Sequence, residues 1–345
     1  MKTIALRIDT KKPQPRLIRK AALLLQHGEL VAFPTETVYG LGANALSSKA
    51  IRKIFKAKGR PSDNPLIVHI AEKKQLRELV DHIPPVASKL IKEFWPGPLT
   101  IILKKSALIP SEISAGLNTV AVRMPKNQIA RALIRSAGFP VAAPSANLSG
   151  KPSPTSASHV LQDLKGRVAC VIDGGPTHVG LESTVIDLTE PIPTILRPGK
   201  ISPAAIKKII GKVRLHPVVN SDKKIITARS PGMKYRHYAP KAELIILRGN
   251  ALKVRKKILD IIHSSAVKKT AVLVTSRKHI FPGAASVYIG SSPERIAKNL
   301  FSALRRMDDQ KIELILIESV SEKGLGLAVM NRLKKAAGFN IVSAR

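Results

Sequence analysis

Three cations, Lys56, Lys58 and Arg60, stand at the end of a helix-patterned stretch and run into the loop Gly59-Arg-Pro-Ser-Asp-Asn64-Pro65, after which the apolar run Leu66-Ile-Val-His-Ile70 begins. These residue types suit a phosphate ligand. Arginine presents a planar fork to phosphate oxygens and lysine a point charge, while Pro61 and Pro65 limit the loop's freedom and so the cost of ordering it. Two plainer readings stay open: cations at a helix end complement the helix dipole, and a histidine such as His69 in an apolar run suits a satisfied core residue.

Other stretches also place polar groups where an apolar run ends. Pro34-Thr-Glu-Thr-Val-Tyr39 carries two hydroxyls and a carboxylate, which fit a ligand loop or ordinary turn chemistry equally. In Thr119-Val-Ala-Val-Arg-Met-Pro125 the arginine has apolar neighbours, and a buried guanidinium needs an anion, either a ligand carboxylate or an internal glutamate. Ala142-Ala-Pro-Ser-Ala-Asn-Leu-Ser-Gly150 is small and hydroxyl-rich, so a ligand can approach its backbone closely. Polar loops near 173–177, 181–184 and 195–199 complete the set. No G-x-x-x-x-G-K-[ST], H-E-x-x-H or C-x-x-C occurs, which removes the usual phosphate loop and the common transition-metal motifs. Gly40-Leu-Gly-Ala-Asn-Ala45 matches G-x-G-x-x-A, but the turn before it is too long for a dinucleotide fingerprint, and its glycines read as easing a loop toward a helix.

These candidates need a scaffold that gathers strand ends. Leu17, Ile18, Ala21, Ala22, Leu24 and Leu25 fall at near-helical spacing before Gly28, and residues 30–33 follow as a strand from which Pro34 turns the chain. Ser47 or Ser48 caps a helix with Ile51, Ile54 and Phe55 on one face. Strands are expected at 66–70, 99–103, 120–124, 141–143, 168–173 and 184–188, with helices near 72–80, 84–94, 127–137, 155–163 and 203–211. This alternation predicts an α/β fold with a mixed sheet. Residues 213–241 are polar and proline-bearing and read as a linker. From 242 a smaller parallel α/β unit follows, with strands at 244–247, 271–275 and 312–317 and helices over 251–263, 293–306 and 327–337.

A chain of 345 residues accommodates two such units. The net charge of +35, spread over both halves, draws polyanions such as nucleotides, RNA or acidic membranes, or else marks a solvated basic surface. Cys170 is the only cysteine, which excludes an intrachain disulfide, and its apolar neighbours place it in a buried strand. The opening MKTIALRIDTKKPQ has no signal pattern, and no run of about 18 uncharged apolar residues occurs, so the chain reads as soluble, cytoplasmic and without a membrane partner.

In order, PTETVYGLG, KAKGRPSDNPLIVHI, WPGPLT, VAVRMP, APSANLSG, LESTVIDL and LRPG resemble the YrdC-type threonylcarbamoyl-AMP synthase family over about residues 15–210. SPGMKYRHYAP and the α/β tail look like the family's longer, two-domain members. The resemblance implies a twisted open mixed sheet of the YrdC type with a concave basic face in residues 1–212, a linker acting as a lid over 213–241, and a smaller C-terminal Rossmann-like α/β domain over 242–345. It implies a nucleotidyltransferase that makes threonylcarbamoyl-AMP and pyrophosphate from ATP, L-threonine and bicarbonate or CO2. A downstream threonylcarbamoyl transferase would then modify tRNA next to the anticodon.

By the same resemblance Lys58 and Arg60 are catalytic, and Thr37, His69, Arg123, Ala143 and Ser183 surround L-threonine. Arg60, Asn64, Thr119, Ser145, Asn147, Arg197 and Tyr235 hold ATP, and charge adds Lys56 and Lys58 to that set. Mg2+ arrives on the ATP phosphates, with Glu36 or Glu182 in a position to touch it, and no protein metal cage is expected. The charge also supports a reading from another class, a double-stranded-RNA-binding, ribosome-associated module, and direct contact of the enzyme with tRNA. The 3% aromatic content counts against the module, because base stacking needs exposed rings.

Overall fold

The computed structural model describes residues 1–219, 237–264 and 269–344. The chain divides into two compact units, one of Met1–Ser149 with Ser153–Lys234 and one of Gly150–Pro152 with Tyr235–Arg345. No helix among the described residues is long and apolar enough to cross a membrane.

In the first unit local signals set the helices. The helix Pro15–Gln26 starts on proline, whose missing N–H costs nothing at that position, and buries Ile18, Ala21, Ala22 and Leu25. Ser47 Oγ accepts from Ala50 N and opens the helix Ser48–Lys58, which ends where Gly59 takes φ +59° and donates to Phe55 O and Lys56 O. Asn127 and Gly138 bound the helix Gln128–Ala137 in the same way. That helix buries Ile129, Leu133 and Ile134, and truncating one of these to alanine costs about 2–5 kcal/mol.

The strands are β1 (Ile4–Arg7), β2 (Val31–Phe33), β3 (Gly40–Asn44), β4 (Ile67–His69), β5 (Leu99–Lys104), β6 (Thr119–Arg123), β7 (Val141–Ala142), β8 (Cys170–Asp173), β9 (Thr184–Asp187), β10 (Thr194–Arg197) and β11 (Arg214–Leu215). They form one mixed sheet in the order β1-β8-β2-β3-β7-β4-β6-β5-β9-β10-β11. Alternation along the strands divides the core between the two faces of the sheet. Ala32, Leu41, Ala43, Val68, Val122 and Ile101 pack on one face. Val31, Phe33, Val141, Cys170 and Ile172 pack on the other. Further along that second face, Ile67, Ala121, Ile102, Val185 and Leu196 make a smaller apolar patch.

Several elements differ from the sequence reading. Residues 40–44, expected as a loop, form β3, antiparallel to β2. A Cβ on Gly42 would lie 2.8 Å from a Phe33 ring carbon and 2.9 Å from Val141 Cγ1, so glycine here makes room for close side-chain packing rather than for a turn. Residues 195–197 belong to β10 rather than to a loop. The helix expected near 72–80 is a 3-10 turn, Lys73–Gln75, followed by the short helix Leu76–Leu79. The expected linker begins with β11, which pairs parallel to β10, while its residues 220–236 lie outside the described residues.

The second unit holds β12 (Glu243–Gly249), β13 (Thr270–Val274), β14 (Ala285–Tyr288), β15 (Leu314–Glu318) and β16 (Ile341–Ala344). They form a sheet ordered β14-β13-β15-β12-β16, with every pairing parallel. The helices Ala251–Ser264, Pro293–Asp309 and Leu325–Ala336 bury one stripe or more of apolar residues each. β14 and β16 escape the sequence reading because each is four residues long and only partly apolar.

Candidate functional site

β2 delivers its chain into residues 35–39, where Thr35 Oγ1 donates to Val38 O at 2.6 Å and accepts from the amides of Thr37 and Val38. With that proton committed, the 2.7 Å contact between the Thr35 and Thr37 hydroxyls has Thr37 as donor. Turn chemistry and ligand placement therefore coincide, because the turn fixes how Glu36 and Thr37 leave the sheet. Tyr39 closes the segment, its hydroxyl donating to Gly175 O at 2.7 Å and accepting from Gly174 N. Burial pushes its phenol well above the usual tyrosine range.

Register assembles the rest. His69 on β4 lies opposite Arg123 on β6, Arg123 opposite Thr100 on β5, Thr100 opposite Val185 on β9, and Val185 opposite Arg197 on β10. Residues paired in this way share a face. The row is polar on four of its five strands, Val185 being the apolar member, and it lies beside Ile67, Ile102, Ala121 and Leu196.

Arg123 is the centre of that row and is 4% exposed. Its Nη2 donates to Glu36 Oε1 at 2.6 Å, its Nη1 to Thr37 Oγ1 at 2.9 Å and its Nε to Gly97 O at 3.3 Å. Glu36 Oε2 is held in turn by Lys126 N. The anion demanded by a buried guanidinium is thus an internal glutamate, and of five N–H groups three are used and two remain. Beside it, His69 has a pKa lowered to about 3, first by burial and then by the charge on Arg123, so its ring is neutral at physiological pH. Further along the row, the Thr100 and Ser183 hydroxyls meet at 2.7 Å, while Arg197 donates through Nη2 to Ser183 Oγ and through Nε to Ser183 O.

The basic loop has a different construction. Lys58 is 3% exposed, and its ammonium donates to Ser145 O at 2.5 Å and Asn147 O at 2.6 Å. The backbone returns the contact through Ser149 N to Lys58 O. Lys58 is thus engaged with the 145–149 loop, whereas Lys56, two residues earlier, is exposed. Arg60 Nη2 donates to Asn64 O and Pro65 O, which folds the guanidinium over its own loop. The Asn64 side chain is fully buried, and neither its amide nitrogen nor its oxygen has a hydrogen-bond partner among the described residues. A buried amide in that state is suited to a polar ligand.

The loop and the row adjoin. Ser145 forms a β-bridge with Gly40, Ala146 N bonds Tyr39 O, and Ala143 N bonds Ile67 O. The structure therefore joins Thr37, His69, Arg123, Ser183 and Arg197 on one face and ties Lys58, Ser145 and Asn147 to the same strand ends, with Ala143 between. Thr119 stands at the opposite end of β6 from Arg123, paired with Lys104. Tyr235 lies outside the described residues. Sequence reasoning gave no role to Thr100 and treated Glu36 only as a cation contact, although both are polar residues within motifs already singled out. Glu182 accepts from Ser153 Oγ at 2.5 Å. Among the described residues no three His, Cys, Asp or Glu side chains gather as a metal site.

Comparisons with known proteins identify the family. Residues 23–199 match the Sua5/YciO/YrdC family model, described as "Telomere recombination", and residues 201–338 match "Threonylcarbamoyl-AMP synthase, C-terminal domain". The chain is 55% identical to the threonylcarbamoyl-AMP synthase of Pyrococcus abyssi, over 94% of this chain and 95% of that protein. Its identity to the Bacillus subtilis enzyme of the same name is 48%, over 97% of this chain and 96% of the other. The crystal structure of P. abyssi Sua5 complexed with L-threonine superposes with a TM-score of 0.94 at 52% identity, covering 100% of both chains. The chain belongs to the Sua5/YciO/YrdC family of threonylcarbamoyl-AMP synthases.

Proposed function

We propose that this protein is a nucleotidyltransferase that converts L-threonine, bicarbonate or CO2 and ATP into threonylcarbamoyl-AMP and pyrophosphate. The observation that carries the reading is Arg123, a buried, oriented guanidinium with two N–H groups left over, flanked by hydroxyls and a neutral imidazole. A similar chain, P. abyssi Sua5, is known in complex with L-threonine. The two spare N–H groups suit the amino acid's carboxylate, and Thr37, Ala143 and Ser183 line the same face.

In this reading the threonine amine, once neutral, attacks the carbon of CO2 and releases a proton to solvent; starting from bicarbonate, that proton leaves with the displaced hydroxyl as water. A carbamate oxygen then attacks the α-phosphorus of ATP. The new O–P bond forms as the bond to the β-phosphate oxygen breaks, and pyrophosphate departs. Positioning and charge neutralisation supply the catalysis, and exclusion of water protects a carbamate that reverts readily. Arg60, Asn64, Ser145, Asn147 and Arg197 are assigned to the nucleotide, with Thr119, Lys56 and Tyr235 as outer contacts. Lys58 contributes by holding the carbonyls of Ser145 and Asn147, which positions that loop. Mg2+ belongs to this scheme as a companion of the ATP phosphates. The segment 213–241 serves as the lid, the product passes to a transferase acting on tRNA, and the charge of +35 favours direct contact with that RNA.

The test is pyrophosphate release by the purified chain. Release should require ATP, L-threonine and bicarbonate together, yield a threonine-containing adenylate by mass, and fall at least about a hundredfold in Arg123→Ala. Release that ignores threonine would overturn the reading.

A further inference from the structure

We infer that the second unit carries a binding site of its own for a small aliphatic amino acid. A cavity of about 130 Å3 opens there, lined by Leu252, Arg255 and Ile258 of the helix Ala251–Ser264, by His279 and Phe281 of the segment after β13, and by Glu318 at the end of β15.

Its place in the fold is where such sites form. From β13 the chain goes outward to its neighbour β14, whereas from β15, on the other side of β13, it goes the opposite way, past β12 to β16. Neighbouring parallel strands whose chains leave in opposite directions open a crevice at their carboxyl ends, and open α/β sheets bind ligands there. This cavity is closed by Glu318 at the carboxyl end of β15, by the helix that follows β12, and by His279 and Phe281 of the segment that leaves β13.

The lining chooses the ligand class. The Arg255 guanidinium is oriented, stacked 5.0 Å above the Phe281 ring and donating through Nη2 to Ile280 O, which leaves further N–H groups to meet a carboxylate. The Glu318 side chain lines the same cavity, and among the described residues no ion pair or side-chain hydrogen bond holds it. A ligand with only an acid group would leave Glu318 unneutralised, and one with only an amine would leave Arg255 so. A zwitterion answers both. Apart from His279 the rest of the lining is apolar, and a cavity of roughly 150 Å3 holds a benzene-sized body, so the 130 Å3 here suits an amino acid whose side chain is an aliphatic group of about three or four carbons. A nucleoside is too large. The aliphatic rim extends outward, since Leu252 is 79% exposed and Ile280 is 66% exposed.

The experiment is equilibrium dialysis of the full chain against radiolabelled L-valine and L-leucine, with unlabelled L-threonine present in excess to occupy the catalytic pocket. Saturable binding of one equivalent of either probe is expected. Arg255→Gln and Glu318→Gln should each weaken it about tenfold or more with the melting temperature unchanged. Glu318→Gln should also bind 3-methylbutanoate, which is valine without its amine, as tightly as it binds L-valine. Absence of saturable binding of both probes up to about 10 mM, binding abolished by excess threonine, or binding indifferent to both substitutions would each overturn the inference. None of these outcomes bears on pyrophosphate release, so this site and the catalytic reading fail separately.

Discussion

Lys58 at the end of its helix and Arg123 on the strand row are equally buried cations in one unit, satisfied by opposite means. Lys58 points its ammonium at two backbone carbonyls of a neighbouring loop. Arg123 meets a carboxylate, a hydroxyl and a carbonyl and still has N–H groups to spare. Geometry follows from chemistry: three tetrahedral donors gather a curved loop, whereas a planar fork lies flat against a sheet and can serve both a fixed glutamate and an incoming acid. Of the two, Lys58 braces the wall formed by the 145–149 loop, and Arg123 keeps two N–H groups for the carboxylate proposed above.

The largest effect should come from breaking the ion pair. Glu36→Ala strands a buried guanidinium and should cost about 3–5 kcal/mol in urea unfolding, with Glu36→Gln recovering part of it because the amide oxygen still accepts from Arg123. Equal stability of Glu36→Ala and the parent would mean that Arg123 finds another anion in solution. Next, Lys58→Ala removes two charge-assisted bonds and leaves two carbonyls short of donors, for a loss of about 2–3 kcal/mol. Turnover should fall with it as the 145–149 loop relaxes. A variant that melts normally but does not release pyrophosphate would move Lys58 from the wall to the chemistry.

The effect that is smallest per step, taken one pH unit at a time, concerns His69, beside Arg123 on the row. Its pKa is about 3 in the fold against 6.5 when unperturbed. Between those values the unfolded chain binds a proton that the folded chain does not, so stability is full above about pH 6.5 and is lost as pH falls toward 3. This single group accounts for a slope of at most about 1.4 kcal/mol per pH unit. His69→Gln should flatten the fall in unfolding free energy between pH 6 and 4 relative to the parent. Parallel profiles would show that His69 protonates readily in the fold and is less shut off than its surroundings indicate.

Much of this was legible in the chain itself. Ser47, Asn127, Gly59 and Gly138 mark helix ends through local hydrogen bonds, and the alternation around residues 30–33 and 120–124 marks buried strands, so the α/β class follows from contacts a few residues apart. The ordered motifs singled out nearly every side chain on the polar row. They left open whether Arg123 meets a ligand or a glutamate and whether Lys58 binds phosphate or complements its helix dipole.

Those choices belong to the tertiary structure, because the partners are distant in sequence and share no local pattern. Glu36 sits in the turn after β2, which Thr35 pins from within, and that turn brings it to Arg123 on β6 although three strands lie between β2 and β6 in the sheet. Gly40–Asn44 becomes a strand by pairing with β2 and β7, and glycine at position 42 leaves Phe33 and Val141 the space they occupy. The sequence by itself determined which residues could do chemistry and the helices and strands that carry them. Strand register, a non-local property, decided which of those residues face one another.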